Sequence, residues 1–248
     1  MTDPVLELTS VRKSYPGTPV LDGIDLAVEG GQFVSIVGPS GCGKSTLFTL
    51  LAGLDDADSG TVVTPRCAYM PQKDLLFPWR SVLANTALGL EVQGVPKAQA
   101  RSRARDLFPV FGLDGFEDAR PSSLSGGMRQ RAALLRTVVQ GRDVLLLDEP
   151  FGALDSLTRT AMQDWMQEVW QRYRWTVLMI THDIREAVQV SDRVVVLSPR
   201  PARVVADVSI DLPRPRRAET ATTREFATYE RALLDALGST GPRPGAGE

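Results

Sequence analysis

Histidine and cysteine are nearly missing from this 248-residue chain, which has one of the first and two of the second. Two cysteines and one histidine do not make a zinc site, and a disulfide from Cys42 to Cys67 would obstruct the glycine-rich loop in which Cys42 lies. Both read as reduced thiols that fill space. Long apolar runs are missing too. Stretches such as Val144–Leu147 and Val177–Ile180 fall far short of the roughly 20 residues that span a bilayer, so the chain is not expected to cross a membrane. The opening MTDPVLELTS carries an acid and a proline where a secretory signal needs a basic start and an apolar core, so a cytosolic chain is expected. An excess of either charge is also absent. With 28 basic and 30 acidic residues the formal net charge is −2, so no global field favours nucleic acid, and none is expected as a partner. Two local clusters, Arg101/Arg103/Arg105 and Arg214/Arg216/Arg217, read as solvated faces. Weak attraction of the second to anionic lipid headgroups is the alternative.

What remains is ample material for a core: 43% of residues are hydrophobic, enough for one large domain or a core with a smaller lobe. Val5–Val11 and Ile24–Val28 pattern as strands of an antiparallel lobe, and a parallel βα pattern begins at Phe33. Apolar runs at Phe33–Val37, Cys67–Met70, Val144–Leu147, Thr176–Ile180 and Val194–Leu197 read as strands of a mostly parallel, buried sheet. Between about 81 and 140 the pattern turns helical, predicting an inserted helical lobe. From about 198 a Pro/Arg-rich extension follows, with a helix near 224–237, and 239–248 reads as a disordered tail. The fold class expected is α/β, with one domain occupying 1–238.

The sequence GPSGCGKST, from Gly38 to Thr46, fits the pattern G-x-x-x-x-G-K-[ST] and lies between the apolar run FVSIV and a helical pattern, the context this motif requires. Glycines Gly38, Gly41 and Gly43, with Pro39, Ser40 and Cys42 between them, let backbone N–H groups turn inward around phosphate oxygens. The helix that follows presents its positive end, Lys44 adds a point charge, and Ser45, next to Thr46, is free to hold magnesium. Four strand-like runs end in residues suited to phosphate chemistry: Lys44, Gln72, the pair Asp148 and Glu149, and His182. In an open α/β sheet, ligands bind at the carboxyl ends of parallel strands, so these residues are expected at one edge. Asp148 then takes the Walker-B position and holds magnesium, while Glu149 is the general base for an attacking water. His182 donates to the γ-phosphate and positions that water. The Gln72 amide touches magnesium or the water. Tyr15 either stacks on the adenine ring or is a half-buried strand tyrosine.

A second loop, LSGGMRQ from Leu124 to Gln130, by itself reads as a turn capping the next helix. Beside a complete phosphate loop, it makes the chain resemble the ATP-binding-cassette ATPases, from about Val5 to Leu197. The resemblance implies ATP and Mg²⁺ as ligands, an A-loop at Tyr15, a Q-loop at Gln72, a Walker B at Val144–Glu149, a D-loop at 153–156 and a switch histidine at His182. It also implies a head-to-tail pair of identical chains, in which Ser125, Gly126 and Gly127 of one cap the ATP held by the other. The stretch MPQKDLLFPWRSVLANTALGL is similar to the Q-loop region of the nitrate, sulfonate and taurine importer branch. That branch implies permease subunits, an extracytoplasmic solute-binding protein and a peripheral position at the cytoplasmic face of a membrane. The Phe77–Pro78–Trp79 cluster then faces a permease helix or forms a packed turn. A soluble cassette acting on nucleoprotein and a non-hydrolysing nucleotide switch are the competing readings.

Overall fold

The computed structural model describes residues 3–238, so the tail expected at 239–248 lies outside the described residues. The chain opens with two long strands, β1 (Leu6–Tyr15) and β2 (Thr18–Val28), then β3 (Phe33–Val37), the glycine-rich loop and helix α1 (Lys44–Leu51). Strands β4 (Ser59–Val63) and β5 (Ala68–Met70) lead into helices α2 (Val82–Thr86), α3 (Leu88–Val92), α4 (Lys97–Arg105), α5 (Phe108–Phe111) and α6 (Gly126–Val138). The core resumes with β6 (Val144–Asp148), α7 (Ser156–Tyr173), β7 (Thr176–Ile180), α8 (Ile184–Val190), β8 (Arg193–Leu197) and β9 (Val204–Ser209), and α9 (Arg224–Gly238) closes the described chain.

These strands form two sheets. A three-stranded antiparallel sheet has the order β2-β1-β4, and a six-stranded sheet has the order β5-β6-β7-β3-β8-β9, parallel except for β9. The expected architecture of an antiparallel lobe, a parallel core and a helical insertion is therefore present. Every residue of β3, β6 and β7 is buried, because alternate side chains enter cores on opposite faces of the sheet. Leu145, Leu147, Val177 and Met179 pack with the helical lobe and α7, where Phe108 and Phe111 of the lobe and Trp170 of α7 are buried. Val144, Leu146, Leu178 and Ile180 pack instead with α1 and the antiparallel sheet, against Leu8, Ile24 and Phe48.

The sequence reading missed two strands. β4 is mostly exposed and β9 alternates between half-buried and exposed, so neither has the apolar run that marked the core strands. A larger correction concerns the Pro/Arg-rich extension, read as a solvated face. Arg216 is only 1% exposed. Its guanidinium donates to the carbonyls of Val188, Ser191, Ile210 and Leu212 at 2.5–3.2 Å, and its backbone is gripped by the Gln167 and Gln189 side chains. Arg214 pairs with Asp192 at 2.7 Å and lies 4.3 Å over the Trp170 ring. A planar guanidinium has five donors, so it can join backbone segments that lack mutual hydrogen bonds. Composition alone does not distinguish that use from solvation.

Candidate active site

The phosphate loop leaves β3 in the middle of the sheet, between β7 and β8. Gly43 has φ +127°, and a Cβ there would lie 2.9 Å from both Val20 and Leu21. Only glycine fits that combination of positive φ and contact with β2. The loop therefore turns tightly into α1, which puts Lys44 at the first helical position. The Lys44 ammonium donates to the carbonyls of Gly38 at 2.7 Å and Pro39 at 3.0 Å, so the loop is bridged by its own lysine. Cys42 is buried in the core below, and both cysteines are free thiols. Its side chain does not line the cavity above.

That cavity holds about 270 Å³ and is lined by Ser40, Gly41, Gly43, Lys44, Ser45, Thr46, Glu149, Ile180 and Arg200. Two cations and one carboxylate thus border a wall of glycine and hydroxyl groups. The Ser45 hydroxyl donates to Asp148 Oδ2 at 3.4 Å, and the Tyr69 hydroxyl reaches the same oxygen at 3.3 Å. Burial raises the Asp148 carboxyl above its ordinary range, against the hydrogen bond from Tyr69. Tyr69 is pushed up to about 12, first by burial and then by the Asp148 charge. Sequence reading passed over this tyrosine. Its only signal was a polar end inside the otherwise apolar run CAYM, one strand away from the acid.

Glu149 is the hub of the rim. Its backbone N–H donates to Ile180 O at 2.9 Å, across to the end of β7, and its φ of +46° is left-handed, unusual for a residue with a side chain and costly without surrounding support. That turn aims its carboxylate at two partners: Gln72 Nε2 donates to Oε2 at 2.8 Å, and His182 Nδ1 lies 3.3 Å from Oε1. His182 is itself fixed between β7 and a capped helix. Asp183 Oδ1 accepts from the backbone of Arg185 and Glu186 at the start of α8, and Thr181 donates to the buried Glu186 at 2.7 Å. Burial raises the Glu186 carboxyl, and the Thr181 bond opposes that rise.

Tyr15 and the Ser125–Gly127 loop, which the sequence assigned to the adenine and to a partner's ATP, lie outside this cavity. Tyr15 sits at the end of β1, 41% exposed, its hydroxyl donating to Asp55 at 2.9 Å and its ring 5.3 Å from the Lys13 ammonium. The bond to Asp55 is the main cause that raises its phenol, which also feels Thr46 of the phosphate loop. Ser125, Gly126 and Gly127 line no part of the phosphate cavity. Ser125 is exposed and caps α6, accepting from Met128 N at 3.3 Å. Gly126 borders a separate groove of about 560 Å³ with Gln72, Arg129 and Leu154. A Cβ on Gly127 would lie 2.7 Å from Thr158 of α7, so close helix packing already requires that glycine.

The family model for ABC transporters matches residues 21–152. The chain belongs to the ABC transporter family. Among curated relatives of this ABC ATPase, an aliphatic sulfonates import ATP-binding protein of Mesorhizobium japonicum is 45% identical over 235 residues, 92% of this chain and 86% of that protein. A formylaminopyrimidine import ATP-binding protein of Halalkalibacterium halodurans is 41% identical over 229 residues, covering 91% and 92% of the two chains. One similar solved structure is the dimeric, post-hydrolysis state of an ATP-binding cassette bound to ADP and phosphate. Its TM-score is 0.72 at 26% identity, with 84% of this chain and all of that one covered. ATP binding and hydrolysis are the chemistry of this ABC ATPase. Among its described residues no helix is long and apolar enough to cross a membrane.

Proposed function

We propose that the chain powers an importer for a small oxyanion solute, such as a sulfonate, taurine or nitrate, at the cytoplasmic face of a membrane. The observation that carries the chemistry is the meeting of Lys44, Ser45, Gln72, Asp148, Glu149 and His182, spread over 139 positions of sequence, around one rim. In this reading Lys44 and the loop N–H groups from Gly38 to Thr46 hold the phosphates of ATP, and Tyr15 faces the adenine. Ser45 and Asp148 fit a magnesium ion. They are hard oxygen donors side by side, the donor type that suits magnesium shared with phosphate and water. With Gln72 nearby, Ser45 and Asp148 would hold the ion, which would supply charge neutralisation to the phosphates. Glu149 takes the proton from the attacking water, and His182, 3.3 Å from the same carboxylate, orients that water toward the γ-phosphate.

Residues 1–238 form the ATPase domain in this proposal, with the helical lobe at about 81–140 inserted and the extension from about 198. Ser125 caps the ATP of an identical partner in this reading, which its exposure at the positive end of α6 supports. Permease subunits bind the helical lobe, and a solute-binding protein delivers cargo outside. The names of the sulfonate-import relatives favour an oxyanion, and the formylaminopyrimidine-import relative favours a pyrimidine as the second reading. Uptake of labelled sulfonate, taurine, nitrate and formylaminopyrimidine by cells with and without the chain separates the two. Loss of oxyanion uptake alone is expected. Loss of pyrimidine uptake with unchanged oxyanion uptake would replace the cargo.

A further inference from the structure

The phosphate cavity contains one charged side chain that no motif explains. Arg200, in the turn between β8 and β9, lines it together with Ser40, Lys44 and Glu149. Among the described residues its guanidinium has no hydrogen-bond or ion-pair partner, whereas the Lys44 ammonium is already tied to two loop carbonyls.

The turn that carries Arg200 is held firmly against the loop. Ala202 is fully buried; its N–H donates to Val20 O at 2.8 Å, and its carbonyl accepts from Asp22 N at 2.9 Å. Arg203 forms an ion pair with Asp22. Ser198 closes the turn, its hydroxyl accepting from Arg203 N at 3.0 Å and its N–H donating to Arg203 O at 2.9 Å. Val20 and Leu21, on the strand that anchors Ala202, are the residues Gly43 packs against. At the other end, a Cβ on Gly38 would lie 3.0 Å from Leu197 O. Both ends of the phosphate loop thus abut the framework that fixes Arg200. β8 lies on the opposite side of β3 from β6 and β7, so this cation approaches from the flank that lacks Glu149 and His182.

We propose that Arg200 is a nucleotide-binding residue, a second cation that engages the polyphosphate of ATP from the β8 side. The proposal rests on the reading of the loop as an ATP cradle. A guanidinium offers several donors to phosphate oxygens and never loses its charge near neutral pH. The turn fixes the backbone at Arg200, and its side chain is exposed and open to a ligand.

The test is titration of ATP, ADP and AMP, by calorimetry, into wild type, Arg200→Ala, Arg200→Lys and Lys44→Ala at several salt concentrations. Arg200→Ala should fold like wild type, with an unchanged apo melting temperature. It should bind ATP about 10-fold or more weakly, the range for one charge-assisted hydrogen bond, lose less affinity for AMP, and show a flatter salt dependence. Arg200→Lys should recover part of the loss. ATP affinity within about 2-fold of wild type, or an equal loss for ATP and AMP, overturns the proposal. Lys44→Ala separates the two layers. If it also binds ATP like wild type, the cradle reading fails, whereas its loss beside an unaffected Arg200→Ala refutes Arg200 alone.

Discussion

Glu149 stands at the point where backbone conformation and chemistry coincide. Its φ of +46° and its bond to Ile180 O turn the side chain back toward Gln72 and His182, so the strained backbone is what lets one carboxylate meet both. Replacing it by glutamine keeps the size and the hydrogen-bonding capacity but removes the base. Glu149→Gln should therefore keep ATP affinity and lower phosphate release by about 10²- to 10⁴-fold. It should also accumulate an ATP-dependent dimer, because the phosphate contacts that join two copies outlast the lost proton acceptor. Phosphate release and sedimentation at saturating ATP-Mg²⁺ check this, and a purely monomeric variant would contradict it. At this scale Lys44, Ser45, Asp148, Glu149 and His182 were legible because each follows an apolar run at a position where the α/β sheet places ligands. Tyr69 was not, since its role comes from a hydroxyl that reaches Asp148 across the sheet. Arg200 was hidden for the same reason: only the β8–β9 turn brings it to a loop about 160 residues earlier.

Elements carry the site by their ends. The N-termini of α6, α7 and α8 are capped by Ser125, Asp155 and Asp183, and the last of these caps directly follows His182 of the rim. Capping fixes where a helix begins and so where the loop before it must stop. The extension after β8 is tied to two of these helices through one residue, by its backbone and its side chain together. Gln167 of α7 and Gln189 of α8 both bond Arg216, whose guanidinium also holds Val188 O and Ser191 O. Burial, and after it the neighbouring Arg214 charge, lowers Arg216 to about 10, the mark of a cation held away from water. Arg216→Met would fill the space and leave several buried carbonyls unpaired, at about 1–3 kcal/mol for each. A loss of at least about 3 kcal/mol should lower the melting temperature by roughly 6–12 °C. Arg216→Lys should restore little, because one ammonium does not span carbonyls on both sides. Calorimetry on the three proteins decides, and a methionine variant as stable as wild type would remove the strut.

Across the whole molecule, the phosphate cavity and the outer face of the helical lobe are separate surfaces. Trp79 is 69% exposed, its ring 5.1 Å from Phe77, and it borders a cavity of about 400 Å³ with Arg80, Glu91, Lys97, Arg101 and Arg120. It is therefore no packed core residue. An aromatic side chain beside mixed charge suits the end of a partner helix. Trp79→Ala should leave basal ATP hydrolysis of the isolated chain within about 2-fold and reduce solute uptake in the assembled transporter by at least about 10-fold. Parallel loss of both activities would mean that the residue supports the ATPase fold instead.

The order of apolar runs, the glycine spacing and the polar residue ending each strand determined the fold class and most of the rim, because hydrophobic periodicity and phosphate cradling are local in sequence. Only the tertiary structure decided which face each charged residue joined. It buried Arg216, which composition had placed in water, exposed Trp79 and brought Arg200 into the phosphate cavity. The physical reason is that the burial of a cation depends on whether distant segments supply carbonyls, phosphate or water around it, and that supply is set by packing.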